Sequence, residues 1–256
     1  MQIIAVANQK GGVGKTTTTV NVCASLAAAK RRVLLVDLDP QSNATMGSGV
    51  NKRSLRQTVY QLLLGLKLFD EVMLRSEVGG FELLPANREL AGAEVELVGI
   101  ERREHRLADV LSPIANRYDY VFIDCPPALN FLTLNALCAA DTVMIPMQCE
   151  YYALEGLSYL VETVRRVRAV FNPRLQIGGL LRTMYDPRNT LSQQVSNELE
   201  KHFGKKVYRT VIPRNVRLAE APSHGQPVLQ FDRTSKGAQA YLALAGELLR
   251  GAEAPA

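Results

Sequence analysis

The sequence predicts one α/β domain over residues 1–250, a doubly wound, mainly parallel sheet flanked by helices, followed by a short tail at 251–256. Three observations predict it. Short apolar runs of strand character alternate with stretches of helical spacing, the pattern that builds right-handed βαβ units and a parallel sheet covered on both faces. A glycine-rich loop separates the first such run from the first helical stretch. A chain of 256 residues with 47% hydrophobic content can bury a substantial core. Neither a repeat, a low-complexity tract nor a long Pro/Gly/Ser linker divides it.

In chain order, Ile3 to Ala7 (IIAVA) forms the first strand-like run, and Lys15 to Ala29 repeats small and apolar residues at helical spacing. Between them lies Gln9-Lys10-Gly11-Gly12-Val13-Gly14-Lys15-Thr16-Thr17. The general phosphate loop is G-x-x-x-x-G-K-[ST]: glycines let consecutive N–H groups curl around phosphate oxygens, and the lysine neutralises the terminal phosphate. Gly14, Lys15 and Thr16 fit that pattern. Gln9 stands where the first glycine belongs, and Lys10 supplies a second lysine instead. The order strand, loop, helix aims a helix N-terminus and its partial positive charge at the bound phosphates.

The next apolar run, Arg32 to Val36, ends in Asp37, Leu38, Asp39 and Pro40, and a later one, Tyr120 to Ile123, ends in Asp124, Cys125, Pro126 and Pro127. Both place carboxylates at the C-terminal edge of a strand, where ligands of open parallel sheets gather. A strand-ending aspartate by itself commonly caps a turn. Downstream of a phosphate loop, such a carboxylate can support Mg²⁺ opposite the loop threonine. Phe81 to Leu84, Thr142 to Ile145 and Leu175 to Leu181 complete the expected strands, and Gly237 to Arg250 is expected to pack as a helix on the core.

Net charge is +5, unevenly distributed: the first 164 residues hold 15 Lys and Arg against 18 Asp and Glu, whereas 165–236 holds 14 against 5. A basic third of this kind points to a polyanionic partner, although a solvated basic surface would give the same count. Four cysteines, Cys23, Cys125, Cys138 and Cys149, lack C-x-x-C spacing and companion histidines, so they read as reduced, buried small residues. With no run of eighteen apolar residues and no charged segment before Ile3, a cytoplasmic location is expected.

At this point the residues resemble the ParA/Soj branch of the deviant Walker A ATPases, which partition bacterial chromosomes and plasmids. The resemblance rests on KGGVGKTTT (Lys10 to Thr18), VDLDPQSNAT (Val36 to Thr45), YDYVFIDCPP (Tyr118 to Pro127) and IPRNVRLAEAPSHG (Ile212 to Gly225), and runs from Ile3 to about Leu249. It implies ATP and Mg²⁺ as cofactors and a slow, partner-stimulated ATPase. Gly11, Gly12, Val13 and Gly14 would wrap the phosphates; Lys15 would bind the β and γ phosphates, Thr16 would offer its hydroxyl to Mg²⁺, and Thr17 would sit by the α phosphate. Lys10 would reach across an ATP-sandwiched homodimer to the partner's phosphates, with Gly11 kept small at that interface. Asp39 would orient or activate the attacking water and, with Asp124, support Mg²⁺ from behind its direct ligands, and Asp37 would stand behind them. The adenine would lie near Arg182, Thr183 and the IPRN segment, with Pro213 and Asn215 as contacts.

The same resemblance marks Arg188 and Arg217 for DNA. Phosphate contacts carry no sequence information, so nonspecific, salt-dependent binding of duplex DNA on the nucleoid is implied, released by hydrolysis that a ParB/Spo0J-type partner accelerates. The nearest rival is a membrane-cycling ATPase of the MinD type, or a relative positioning other cargo. Its terminal helix would need a basic polar face, and Gly237 to Arg250 has one basic residue, so no membrane is expected. An electron-transfer reductase like the nitrogenase iron protein would need a cluster-binding cysteine pair, which these spacings do not supply. A specific DNA-binding regulator would need an N-terminal helix-turn-helix; with the phosphate loop starting about nine residues in, specific operator binding is not expected.

Overall fold

The computed structural model describes residues 1–151 and 153–253. Its described strands are β1 (Gln2–Val6), β2 (Val33–Asp37), β3 (Leu74–Ser76), β4 (Phe81–Leu84), β5 (Tyr120–Asp124), β6 (Thr142–Gln148) and β7 (Gln176–Thr183). They form one seven-stranded sheet in the order β3-β4-β2-β5-β1-β6-β7. Only the β3–β4 pair is antiparallel; the other neighbours run parallel.

The helices, in chain order, are α1 (Lys15–Ala28), α2 (Asn43–Gly47), α3 (Val59–Leu64), α4 (Phe69–Val72), α5 (Ala93–Glu96), α6 (Arg106–Leu111), α7 (Phe131–Ala139), α8 (Ala153–Val170), α9 (Thr190–Phe203), α10 (Val216–Glu220), α11 (Val228–Phe231) and α12 (Lys236–Glu253). Their distribution follows from alternation along the strands. Ile3 and Ala5 of β1, Leu34 and Val36 of β2, and Val121 and Ile123 of β5 belong to one buried cluster, which also takes in side chains of α3, α6, α7, α8 and α9. Ile4 and Val6, Val33 and Leu35, and Tyr120 and Phe122 point the other way, into a cluster shared with α1, α10, α11 and α12. Central strands that are apolar on both faces are what a doubly covered parallel sheet requires.

β1 lies between β5 and β6, so the chain leaves it toward β2 on one side and reaches β6 on the other. That reversal opens a crevice beyond the carboxyl ends of β1, β2 and β5, where the glycine loop and both aspartate segments lie. Two features depart from the sequence expectation. β3 was not expected, because a three-residue antiparallel edge with an exposed Arg75 carries no apolar run. At the other end, α12 continues to Glu253, so the tail expected from Gly251 begins instead as the last turn of a helix, and 254–256 lie outside the described residues. The helix is anchored by buried Ala238, Tyr241, Leu244 and Ala245, in keeping with a core-packing role.

Candidate nucleotide site

The glycine loop connects β1 to α1, and side chains from β6 and β7 hold its carbonyl groups. Gln148 donates Nε2–H to the Gly12 carbonyl at 3.3 Å, and Thr183 donates its hydroxyl to the Val13 carbonyl at 2.8 Å. Lys15 Nζ donates back to the Lys10 carbonyl at 3.2 Å. Gly12 (φ 74°) and Gly14 (φ 86°) adopt left-handed backbone that disfavours any side chain, which explains two of the three loop glycines. Gly11 has neither reason: its φ is not positive, and a Cβ there would meet no atom within 4 Å of its own chain.

Gly14 occupies the N-cap of α1, and no side chain caps that end. A helix N-terminus left without a side-chain acceptor presents backbone donors to an anion. Lys15 is 7% exposed beside it. Burial lowers the pKa of its ammonium group, an effect that the carboxyl of Asp124 opposes.

Asp124 organises the opposite wall. It is fully buried at the end of β5 and accepts the Thr16 hydroxyl at 2.7 Å and the Thr19 hydroxyl at 3.0 Å. Thr19, one helical turn past Lys15, was not singled out by the sequence, because a threonine inside KTTTT carries no distinguishing signal. In the parallel register Asp124 faces Asp37 of β2, also fully buried. Burial first, then the neighbouring carboxyl, pushes the Asp124 pKa up; the threonine hydrogen bonds oppose the shift. Asp37 is likewise raised by burial, against hydrogen bonds from Thr45 and Asp39.

Asp37 accepts both the N–H (2.8 Å) and the hydroxyl (2.7 Å) of Thr45 and the N–H of Asp39 (3.2 Å), so it fixes the turn that presents Asp39. Its carboxylate is thus taken up by Thr45 and the Asp39 N–H. Asp39 is 8% exposed and accepts the Gln41 N–H at 2.9 Å.

Next to the loop is a cavity of about 210 Å³ whose lining includes Gly14, Thr17, Thr183, Pro213, Asn215 and Tyr241. Asn215 Oδ1 is buried there with no hydrogen-bond partner, and Tyr241 shares a 3.1 Å hydrogen bond with Thr18. Pro213, Asn215 and Thr183 thus line one cavity. Arg182 does not: strand alternation turns it to the other face of β7, where its guanidinium donates to Ser196 and Glu200 of α9 and to the Tyr208 carbonyl. Tyr241 was missed, since it arrives from α12, 223 residues after Thr18.

Arg188 and Arg217 are exposed, and both carry intrachain ion pairs. Arg188 forks onto Asp186 at 2.9–3.0 Å; Arg217 reaches Glu220 at 2.8 Å and Asp232 at 3.3 Å. Exposed pairs of this kind are weak and yield readily to another anion. Arg214, Arg233 and Lys236 are also solvent-accessible. The four cysteines are buried and unpaired. Among the described residues, no helix is long and apolar enough to cross a membrane, and no group of three or more His, Cys, Asp or Glu side chains could hold a metal by itself.

Residues 1–177 match the family model described as an AAA domain. The chromosome partitioning protein ParA of Myxococcus xanthus is 51% identical over 249 residues, 97% of this chain and 88% of that protein. The sporulation initiation inhibitor protein Soj of Bacillus subtilis is 53% identical over 247 residues, covering 96% of this chain and 98% of that one. Among solved structures, cobyrinic acid a,c-diamide synthase from Mycobacterium smegmatis with bound ADP and magnesium superposes with a TM-score of 0.87 at 39% identity, covering 99% of this chain and 96% of that chain. A likeness of this strength over nearly the whole length, joined to a deviant phosphate loop in a doubly wound parallel sheet, establishes that the chain belongs to the ParA/Soj family of partitioning ATPases.

Proposed function

We propose that this chain is an ATP-timed partition switch: with ATP and Mg²⁺ it forms a homodimer that coats duplex DNA of the nucleoid without sequence preference, and hydrolysis, slow alone and accelerated by a ParB-type partner, releases it. The observation that carries this reading is the joint placement of Lys15, Thr16 and Asp124 at the uncapped start of α1. The residues fit the cofactors. An unpartnered Asn215 oxygen in a cavity beside the loop suits the amino group of an adenine, and a hydroxyl already oriented by a carboxylate suits a magnesium ion that keeps most of its waters.

Bound Mg²⁺ supplies charge neutralisation for the phosphoryl group in transfer. Everything else falls to the chain. Backbone donors of Gly12 to Thr17 bind and orient the phosphates; Lys15 neutralises the β and γ groups from a buried position where its charge is little screened. Asp124 fixes the Thr16 hydroxyl, so the metal ligand needs no reordering. Asp39, held by the turn that Asp37 braces, orients or deprotonates the attacking water. Lys10 complements the partner chain's phosphates, and the open space at Gly11 supports a second backbone approaching there.

Arg188 and Arg217 would exchange their intrachain carboxylates for DNA phosphates, and pairing two chains would join two such surfaces. The test is duplex DNA binding with and without ATP across a salt series. Binding should require ATP and fall steeply with salt, and Asp39→Ala should accumulate on DNA as an ATP-bound dimer. ATP-independent or salt-insensitive binding, or an Asp39→Ala protein that stays monomeric in ATP by light scattering, would refute the switch.

A further inference from the structure

The amino group of Lys10 is not free in the single chain. It lies 2.5 Å from Glu150 Oε2, with the two side chains 46% and 50% exposed. Glu150 stands two residues beyond β6, and this strand end grips the phosphate loop at every second residue. The Pro146 carbonyl accepts Asn8 Nδ2–H at 2.8 Å, Gln148 donates to the Gly12 carbonyl at 3.3 Å, and Glu150 takes Lys10. Asn8 Oδ1 also accepts the Lys10 N–H at 3.0 Å, so the residue is held through both backbone and side chain.

We infer that Glu150 is a positioning residue that parks Lys10 against its own chain, and that ATP-dependent pairing must exchange this internal ion pair for the partner's phosphates. The inference rests on the reading of Lys10 given above. Its physical content is a competition for one ammonium group. While Glu150 neutralises Lys10, the lysine adds little to phosphate binding within its own chain. Its charge becomes available when a second chain brings phosphates that hold it better than one carboxylate does. A phosphate group carrying more than one charge and several acceptor oxygens outcompetes Glu150; an exposed carboxylate elsewhere would not.

The size of the effect follows from the exposure. Half-exposed ion pairs shift an equilibrium by about 1.4- to 5-fold. A symmetric dimer must release two of them, so the latch opposes dimerisation by roughly 2- to 30-fold.

The experiment compares wild type with Glu150→Gln, which keeps the shape and removes the charge, and Glu150→Asp, which keeps the charge. Sedimentation equilibrium with Mg²⁺ and a hydrolysis-resistant ATP analogue should show the Gln variant dimerising about 2- to 30-fold more tightly than wild type, with the Asp variant nearer wild type. In nucleotide-free protein, acylation of Lys10 by an amine-reactive ester, followed by peptide mass spectrometry, should be faster in Glu150→Gln. Unchanged or weaker dimerisation of the Gln variant, equal acylation rates, or a lowered melting temperature with no gain in dimer would each overturn the latch. If wild type and both variants all remain monomeric with the analogue, the dimer reading itself fails and the latch with it.

Discussion

Replacing Asp124 with asparagine should stabilise the nucleotide-free protein while disabling it. Asp124 and Asp37 are fully buried register partners on adjacent parallel strands. Strands in a sheet lie about 5 Å apart, and two ionised carboxylates at that spacing would repel by about 3 kcal/mol at an effective dielectric of 20, so the folded chain keeps a proton on the pair where the unfolded chain gives both up. The nearby Lys15 ammonium offsets part of this, and an asparagine amide can still meet the hydroxyls of Thr16 and Thr19, which rotate to accept as well as donate. A net gain of about 1–2 kcal/mol remains, which for a chain of this size raises the melting temperature by roughly 2–8 °C.

The gain should depend on pH in a defined direction. The folded-state pKa of Asp124 is raised above its unfolded value. Below the unfolded pKa, about 3.9, the carboxyl is neutral in both states and carries no penalty. Above it the unfolded chain gives up the proton that the folded chain retains, so wild-type stability falls as pH rises toward the folded pKa, by up to about 1.4 kcal/mol per pH unit. The Asn variant lacks this loss. Thermal melts without nucleotide or Mg²⁺ should therefore show the two proteins close near pH 4 and the variant ahead near pH 8. Its hydrolysis rate should drop by about 10²-fold or more, because Thr16 loses a charged partner that orients it and supports the metal. A variant that melts lower than wild type at the upper pH, or a difference that does not change with pH, would refute the account of Asp124 as a buried, repelled carboxylate.

Three further outcomes follow from the same geometry. Gly11→Ala should leave the melting temperature of the single chain unchanged within about 1 °C, since the added methyl meets nothing and φ is not positive; ATP-dependent dimerisation, measured by light scattering, should weaken. Asn215→Ala removes the unpartnered acceptor in the cavity beside Gly14 and should raise the apparent KM for ATP about 2- to 13-fold in a steady-state assay, with kcat little changed. Joint replacement of Arg188 and Arg217 by alanine should lower DNA affinity and reduce the slope of log affinity against log salt by about 0.9 for each phosphate no longer neutralised, read by fluorescence anisotropy.

Much of this molecule was legible before its fold was known, and the reasons are local. A lysine after three glycines, a strand that ends in aspartate and an apolar run of four or five residues are each specified by neighbours in sequence. Six of the seven described strands and the loop that begins α1 could therefore be placed. The exception, Leu74–Ser76, has three residues and an exposed arginine at its centre, and so no periodicity to read. Family resemblance then gave each site residue an expected role. It implied an adenine near Arg182, Thr183 and the IPRN segment, and only the alternation of β7 separates the first two, turning Thr183 toward the loop and Arg182 to the opposite face.

Residue order alone supplies the chemistry on offer: a phosphate loop with a second lysine, carboxylates at two strand ends, and a basic third. How those groups constrain one another is a property of the folded chain. Asp124 faces Asp37 because β2 and β5 are adjacent and in register. Tyr241 reaches Thr18 because α12 packs on α1, and Lys10 meets Glu150 because β6 runs beside β1. Each of these pairs joins residues more than 80 positions apart. Side-chain periodicity and turn chemistry act over a few residues, whereas burial, repulsion and ion pairing depend on distances that only the folded sheet brings within a few ångströms.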